Sequence, residues 1–446
     1  MLGLKIFSGI LFSVMLIVMM SIMIVFERDK PKKIICWAII FLALQLIGYA
    51  LYLINMLIIH IKKNKLFVKQ SNDLIYESLV SKDFRADSVN YTDDLFSFNE
   101  RAFNSSIRHN TQVELISTYS RTKEALIRDI KQANKFVYME LTSVNVKDFE
   151  EILQSIYDAR ANDIEIRISF DKHVSFRIVK ALKGKGVKVR RYSKHNSYDG
   201  LYSNIRNVVV VDGRVAYLLN LNVKNKLLST KYDIADSTIK LKGDVVQDIT
   251  LKLCQDLMFS TGKHVDYAID LENKQDNKAI YQYVTNELDN RVELLLVKAI
   301  CSAKNTITLE LDTFVPSETV MQLLKYAVDS GILVKLMVPI KSTNMSKYYA
   351  SCAYAKELAL IGASVYLYDG YIRFNSILID NEYAILGGYA IDRVHIGFSS
   401  QNMLITNDEK VISYYRRLFD SHINNSYKIN DAKYMLLKEK IFKNFI

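Results

Sequence analysis

The sequence predicts an α/β protein in which two N-terminal transmembrane helices are followed by a duplicated α/β sandwich domain. Three observations predict it: two long apolar runs open the chain, strand and helix patterns alternate downstream, and that alternation occurs twice. At 446 residues the chain has room for two or three domains. Half of its residues are hydrophobic, which is enough to build buried cores and to leave apolar surface for lipid.

The two apolar runs span Ile6 to Phe26 and Ile34 to Ile61, and each is long enough to cross a hydrocarbon core of about 30 Å. A cleaved signal peptide would explain the first run but not the second. We therefore predict a two-helix transmembrane hairpin over residues 1–65. Lys and Arg are nearly balanced between the intervening loop and the outer flanks. We expect a multi-pass protein of the cell membrane with its soluble domains in the cytoplasm.

Residues 66–112 are polar and show no sustained period, so they are predicted as a linker. Two segments of similar layout follow, at 113–262 and 291–446, joined by a connector at 263–290. The first carries helix patterns at 121–134, 149–159 and 175–185, strand patterns at 136–141, 164–170 and 187–189, and a hairpin at Asp212-Gly213. The second carries helix patterns at 292–303, 318–329 and 348–360, strand patterns at 306–311, 333–338 and 365–368, and a hairpin at Asp380-Asn381. This alternation predicts an α/β sandwich with parallel or mixed sheets.

The chain is basic, with 59 Lys and Arg against 48 Asp and Glu and a formal net charge of +11. That balance suits an anionic partner, either a membrane surface or a nucleic acid. The four cysteines show no CxxC spacing, and Cys36 lies in an apolar run. We therefore predict neither a disulfide framework nor a zinc site, and we expect no cofactor.

Motifs along the chain are similar to those of one protein family. The apolar hairpin carries Glu27-Arg28-x-x-Pro31, Cys36-Trp37-Ala38 and Gly48-Tyr49-Ala50-Leu51-Tyr52. The repeated segments carry Asp236 to Gly243 with Val246, Asp256 and Thr261-Gly262, then Thr313-Phe314-Val315-Pro316, and then Ala327 to Pro339. These stretches resemble bacterial cardiolipin synthases, a branch of the phospholipase D superfamily, over almost the whole chain. All three prolines of the chain fall on positions where that family has proline.

The resemblance implies a motif H-x-K-x-x-x-x-D in each half, with both copies facing one shared site. In active members one histidine attacks phosphorus, the other protonates the leaving alcohol, and the lysines hold the phosphoryl oxygens. Counting back from the hairpin aspartates gives the motif positions of this chain, which are Ile205, Asn207 and Asp212 in the first half and Arg373, Asn375 and Asp380 in the second. Both aspartates are kept, but no histidine or lysine of the motif remains.

We therefore expect the synthase reaction to be lost. Isoleucine has no lone pair with which to attack phosphorus, and arginine stays protonated. General acid–base transfer alone contributes roughly 10²–10⁴-fold to a rate. The remaining residues could still bind phosphate: Arg373 could fork onto it, and Asn207, Asn375 and Asn222 could donate hydrogen bonds. The competing interpretation is that the two aspartates only shape turns and that Arg373 is a solvated edge charge.

Three functions are compatible with the sequence. The leading hypothesis is a catalytically inactive, cardiolipin-synthase-like membrane protein that binds anionic phospholipid, either phosphatidylglycerol or cardiolipin, or modulates an active synthase paralogue. The alternative is an active phosphatidyltransferase that uses unorthodox residues, such as His173 or His195. Nucleic-acid binding is disfavoured, because the chain has two predicted membrane helices and no basic run interleaved with aromatic residues.

Overall fold

The computed structural model describes residues 14–21, 37–41, 47–57, 94–142, 146–170, 176–191, 203–204, 206–219, 233–261, 265, 278–286, 291–342, 344–389, 391–392, 399–429, 439 and 443. The chain divides into two compact units, Met1–Lys82 and Asp83–Ile446. The second unit contains both of the predicted repeated segments. The domain bounds predicted from the sequence stay predictions.

The first unit is helical at residues 14–21, 37–41 and 47–57. Its packing centres on Phe41, Tyr49 and Tyr52, and the ring of Trp37 meets that of Tyr52 edge-on at 5.2 Å. Gly48 allows a close approach here, because a Cβ at this position would lie 2.8 Å from the carbonyl oxygen of Ile40.

The first unit contains the two predicted transmembrane runs, parts of which (6–13, 22–26, 34–36, 42–46 and 58–61) lie outside the described residues. Within the part of the chain that the structure describes, no helix combines the length and the apolar character needed to cross a membrane.

The second unit opens with helix α1 (Asp94–Phe103) and then runs through two similar series of elements. The first series is β1 (Thr111–Ile116), α2 (Tyr119–Lys131), β2 (Phe136–Leu141), α3 (Val146–Ala161), β3 (Glu165–Phe170), α4 (Phe176–Gly184), β4 (Lys188–Arg191), β5 (Ser203–Asn204), β6 (Val208–Val211), β7 (Val215–Leu218), β8 (Asp233–Ala235), β9 (Thr238–Gly243) and α5 (Val245–Thr261).

The second series follows the same plan with additional short strands. It is β10 (Tyr281–Asn286), α6 (Arg291–Ser302), β11 (Thr306–Glu310), β12 (Phe314–Val315), α7 (Glu318–Asp329), β13 (Leu333–Pro339), α8 (Met345–Leu360), β14 (Ser364–Tyr368), β15 (Gly370–Ile372), β16 (Asn375–Ile379), β17 (Tyr383–Gly387), β18 (Ile391–Asp392), β19 (Ser399–Thr406), α9 (Glu409–Ile423) and β20 (Ser426–Lys428).

Each series builds one mixed sheet, and the two sheets have matching strand orders. The first is β1-β9-β7-β6-β2-β3-β4, and the second is β10-β19-β17-β16-β11-β13-β14 with β20 added at its edge and β5 paired to β19. In both, three parallel strands adjoin an antiparallel hairpin, β6-β7 or β16-β17. The predicted mixed α/β architecture and its duplication are therefore confirmed.

The sheets are buried on both faces, which explains why their central strands are nearly continuous apolar runs. In β2, Val137 and Met139 join the core under the helices of the first half, whereas Phe136 and Tyr138 join a different core. That second core also contains Leu386 of the second half. The two halves therefore share a hydrophobic core in addition to the core that each builds for itself.

Short strands also cross between the halves. Strand β5 of the first half pairs with β19, and β15 of the second half pairs with β8. Each of these strands immediately precedes one of the predicted motif positions, Ile205 or Arg373. The exchange therefore fixes both motif segments against the opposite half of the molecule.

Candidate functional site

The two hairpin aspartates make the same contacts in the two halves. Asp212 has a left-handed backbone (φ 55°), and its carboxylate accepts hydrogen bonds from the backbone N–H groups of Asn134, Lys135 and Phe136 at 2.8–2.9 Å. Asp380 (φ 52°) accepts from three successive backbone N–H groups, those of residues 304–306, at 2.5–2.7 Å. Each carboxylate therefore clamps its hairpin to the start of the adjacent strand, β2 or β11.

The two asparagines at the lysine positions also have matching contacts. The side-chain oxygen of Asn207 accepts from the backbone N–H of Thr142 at 2.9 Å, and that of Asn375 accepts from Asp312 at 2.7 Å. The Asn375 amide also donates to the carbonyl of Tyr389. Both side chains are buried. The asparagines therefore tie neighbouring strands together through an oxygen acceptor, which a lysine lacks.

Arg373, at the histidine position of the second half, is buried and not a solvated edge charge. Its side chain is 7% exposed, and its Nη1 lies 3.9 Å from Oδ2 of Asp236 in the first half. Its backbone N–H donates to the carbonyl of Ala235 at 2.9 Å. Burial lowers the pKa of Arg373 and raises the pKa of Asp236. The guanidinium is therefore held beside a carboxylate at the boundary between the halves.

Two further candidate residues, Ile205 and Asn222, lie outside the described residues, as do His173, His195 and His395. Asn207 makes the same kind of contact as Asn375, and Asp212 makes the same contacts as Asp380. Counted from these residues along the sequence, Ile205 and Arg373 are corresponding positions of the two halves. Within the described ranges, no group of three or more His, Cys, Asp and Glu side chains is arranged to hold a metal ion.

Arg206 lies between the motif positions Ile205 and Asn207, and the sequence reasoning missed its role. Its Nη2 is 2.7 Å from Oδ2 of Asp256, and its Nε is 3.4 Å from Oε2 of Glu140. All three side chains are buried. Charges taken out of water need such partners, because desolvation of an unpaired charge is unfavourable. A signal was present in the sequence: a glutamate inside an otherwise apolar strand predicts a buried cation nearby.

In the second half, the buried strand glutamate has a different partner. Glu310 of β11 corresponds to Glu140, and its Oε1 lies 2.7 Å from Nδ1 of His422 on α9. Phe374 takes the place of Arg206 and stacks on Tyr415 at 6.0 Å. A buried glutamate is thus present in both halves, and its partner lies on the motif segment in the first half and on helix α9 in the second. Sequence reasoning overlooked His422 because it lies far from the motif.

Further hydrogen bonds join the two halves of the second unit. The hydroxyl groups of Tyr415 and Ser237 are 2.8 Å apart, and the hydroxyl of Tyr368 donates to Asp233 at 2.9 Å. Burial raises the pKa of Tyr415 well above its ordinary value, so the phenol stays neutral. These groups can orient an anion by donating hydrogen bonds, but a neutral phenol and a protonated arginine are poor nucleophiles.

Comparison with known proteins agrees with this architecture. A family model described as "Cardiolipin synthase, PLD-like domain" matches residues 296–423. A cardiolipin synthase of Oceanobacillus iheyensis is 24% identical over 443 residues, which cover 93% of this chain and 92% of that protein. A cardiolipin synthase of Halalkalibacterium halodurans is 25% identical over 411 residues, which cover 86% and 81% of the two chains.

Among solved structures, the phosphatidylserine synthase of Haemophilus influenzae matches with a TM-score of 0.61 at 11% sequence identity. The match covers 79% of this chain and 97% of that chain, and it supports the fold. The resemblance inferred from the motifs is confirmed: the chain carries a phospholipase D-like domain of the cardiolipin synthase type and is similar to bacterial cardiolipin synthases over most of its length.

Proposed function

We propose that this chain is a cardiolipin-synthase-like membrane protein that has lost the synthase reaction. In this proposal it binds anionic phospholipid, either phosphatidylglycerol or cardiolipin, or modulates an active synthase. The observation that carries the proposal is Arg373, which stands where a histidine is needed and lies buried beside Asp236. A guanidinium there can attract a phosphate, but it cannot accept a proton or attack phosphorus.

The first half supports the same conclusion. Ile205 has no group able to act in phosphoryl transfer, and the amide oxygen of Asn207 is engaged by the backbone of Thr142. Asn375 is similarly engaged by backbone groups. Of the four phosphate-binding candidates, Arg373 is the one that carries a charge, so we assign it the main role. Asn222 remains a candidate.

Membrane attachment is part of this proposal. The apolar runs at residues 6–26 and 34–61 would form the two transmembrane helices, with the soluble domains in the cytoplasm. Similarity to bacterial cardiolipin synthases over 93% of the chain supports a function at a phospholipid bilayer. A phosphate group that reaches Arg373 would compete with the carboxylate of Asp236 for the guanidinium. Phosphate binding would therefore depend on whether that carboxylate is protonated.

Lipid binding is tested with the full chain purified in nanodiscs that contain phosphatidylcholine and phosphatidylglycerol. Mass spectrometry of the lipid retained after mild delipidation should show enrichment of phosphatidylglycerol, and Arg373→Gln should abolish the enrichment. Arg416→Gln, a change at an exposed position of α9, is the matched control and should leave it intact. Equal retention of both lipids by the unmodified protein would contradict lipid binding.

The partner model has its own test, which is co-purification. Affinity purification of the full chain from its own membranes should retain an active cardiolipin synthase. Purification that recovers no synthase would contradict the modulating role and leave lipid binding to be judged on the retained lipid.

One observation favours the alternative, an active phosphatidyltransferase with unorthodox residues. The Glu310–His422 pair at 2.7 Å resembles a histidine oriented by a carboxylate, as in acid–base catalysis. The alternative predicts conversion of phosphatidylglycerol to cardiolipin by the purified protein, and loss of that activity in His422→Gln. The first half neutralises the equivalent glutamate with Arg206, which favours a structural explanation of the pair.

A further inference from the structure

The segment from Phe176 to Arg191 has an unusual charge pattern. Its sixteen residues include seven Lys and Arg and no Asp or Glu. It forms helix α4 and strand β4, and β4 is the outermost strand of the first sheet. We call α4 and β4 together the basic edge.

Burial sorts the side chains of the basic edge by polarity. Helix α4 turns Ile178, Val179 and Leu182 into the core of the first half. Strand β4 is preceded by buried Val187 and contributes buried Val189. The charged side chains lie on the opposite side, and the exposed ones are Arg177, Lys180, Lys183, Lys185, Lys188 and Arg190. The apolar residues thus anchor the segment while its positive charges face water.

Two of these cations have a close neighbour among the described residues. Lys188 pairs with Glu165 at 2.5 Å, but that carboxylate is shared with Arg167. Lys185 lies over the ring of Tyr157 at 5.7 Å. The segment itself contributes only positive charge, because it has no acidic residue. Such a charge attracts anionic surfaces and is screened by salt.

An exposed aromatic residue begins the basic edge. Phe176, the first residue of α4, is 70% exposed and precedes exposed Arg177. An apolar side chain left in water among cations is the combination by which interfacial helices bind anionic bilayers, because the aromatic ring enters the headgroup region while the cations meet phosphates. Binding of single-stranded nucleic acid would instead require several aromatic faces for stacking, and the exposed positions of β4 are Lys188 and Arg190.

We propose that the basic edge is a docking surface for the anionic phospholipid bilayer. Lys180 and Lys183 contact lipid phosphates, and Phe176 inserts between headgroups. This contact is separate from the motif positions and needs no lipid bound at Arg373. It shares with the proposed function only the membrane as partner.

The test places a fluorescent reporter at the basic edge of the full chain. Phe176→Trp is compared with the parent protein, whose single tryptophan is Trp37, so that the difference spectrum reports the introduced indole. In nanodiscs that contain phosphatidylglycerol, the emission of this indole should shift to the blue and be quenched by lipids with brominated tails. In nanodiscs of phosphatidylcholine alone, or at high salt, both effects should be lost.

Charge variants in the same background decide whether the basic edge is responsible. Lys180→Gln with Lys183→Gln should remove the blue shift, because both side chains are exposed and their replacement leaves the core intact. Arg416→Gln with Arg417→Gln, at exposed positions of α9, is the matched control and should retain it. Unchanged circular dichroism of each variant confirms that it has folded.

Three outcomes would overturn the proposal. The first is a difference spectrum that does not depend on phosphatidylglycerol, and the second is an equal loss of the blue shift in both charge variants. The third is a shift caused by an oligonucleotide but not by phosphatidylglycerol, which would assign the surface to nucleic acid. Arg373→Gln should leave the blue shift unchanged, so failure of lipid binding at the motif is distinguishable from failure of the basic edge.

Discussion

Removal of the Asp212 carboxylate should destabilise the fold. Asp212 is 2% exposed, and its three backbone hydrogen bonds are charge-assisted. Hydrogen bonds to charged groups contribute about 1.5–3 kcal/mol each, and a left-handed alanine costs about 1–2 kcal/mol, so Asp212→Ala should lower the free energy of unfolding by at least about 5 kcal/mol. Asp212→Asn keeps one acceptor oxygen, and asparagine tolerates the left-handed backbone. This variant should therefore lower the free energy of unfolding by only about 2 kcal/mol.

The assay is urea unfolding of the full chain followed by circular dichroism. Asp163→Ala is the matched control, because Asp163 also has a positive φ of 62° but its side chain is exposed. Asp163→Ala also places an alanine in the left-handed region, but it removes no carboxylate that accepts backbone hydrogen bonds as Asp212 does. If Asp212→Ala unfolds at the same urea concentration as Asp163→Ala, the clamp does not stabilise the hairpin, and a role in ligand binding would regain support.

Three other predictions concern the buried contacts. Asn375→Ala should lower the free energy of unfolding by about 2 kcal/mol, measured in urea, and leave phosphatidylglycerol retention unchanged, because its amide is already engaged by backbone groups and Asp312 within the described part of the chain. Burial acts to raise the pKa of Glu165, but hydrogen bonds from Lys188 and two other side chains hold that pKa below its ordinary value of 4.5. The resulting stability is present above the ordinary pKa and lost as pH falls through the lower folded pKa, so Glu165→Gln should flatten the unfolding free energy measured across that range. Burial raises the pKa of the Cys254 thiol to about 12, so maleimide labelling mapped by mass spectrometry should modify exposed Cys301 and spare Cys254 until the protein unfolds.

Much of the architecture followed from local patterns. Period-two alternation and continuous apolar runs identified strands such as β2 and β11, and the Asp-Gly and Asp-Asn turns identified both hairpins. These signals are local, because the burial of a strand determines the pattern of apolar and polar residues along it, and a turn is marked by its own residues. The motif positions could also be counted from the hairpin aspartates, since the spacing within a strand is fixed.

The contacts that hold the site together could not be predicted in this way. Strands β5 and β15 are two and three residues long, too short to carry a period, and each pairs with the opposite half. Arg206 and Asp256 are neighbours in space although they lie far apart in the chain. The different partners of the two buried glutamates, Arg206 and His422, were equally hidden, because each residue is ordinary in its own local context.

The two halves show how such a scaffold can diverge after duplication. The clamp formed by Asp212 is repeated by Asp380, and the strand tie of Asn207 is repeated by Asn375. These contacts satisfy backbone groups, so they are useful whether or not chemistry occurs. At the histidine position of the second half, by contrast, Arg373 now pairs with Asp236. The contacts that the two halves share are thus ones that stabilise the fold.

Phosphatidyl transfer by the purified full chain most directly tests whether the synthase reaction is lost. Vesicles of isotope-labelled phosphatidylglycerol are incubated with the protein, and doubly labelled cardiolipin is measured by mass spectrometry beside an active bacterial cardiolipin synthase. We predict no cardiolipin above the level of vesicles alone, because Ile205 and Arg373 cannot perform the covalent and proton-transfer steps. Cardiolipin that accumulates in proportion to the protein and is lost in His422→Gln would contradict this prediction.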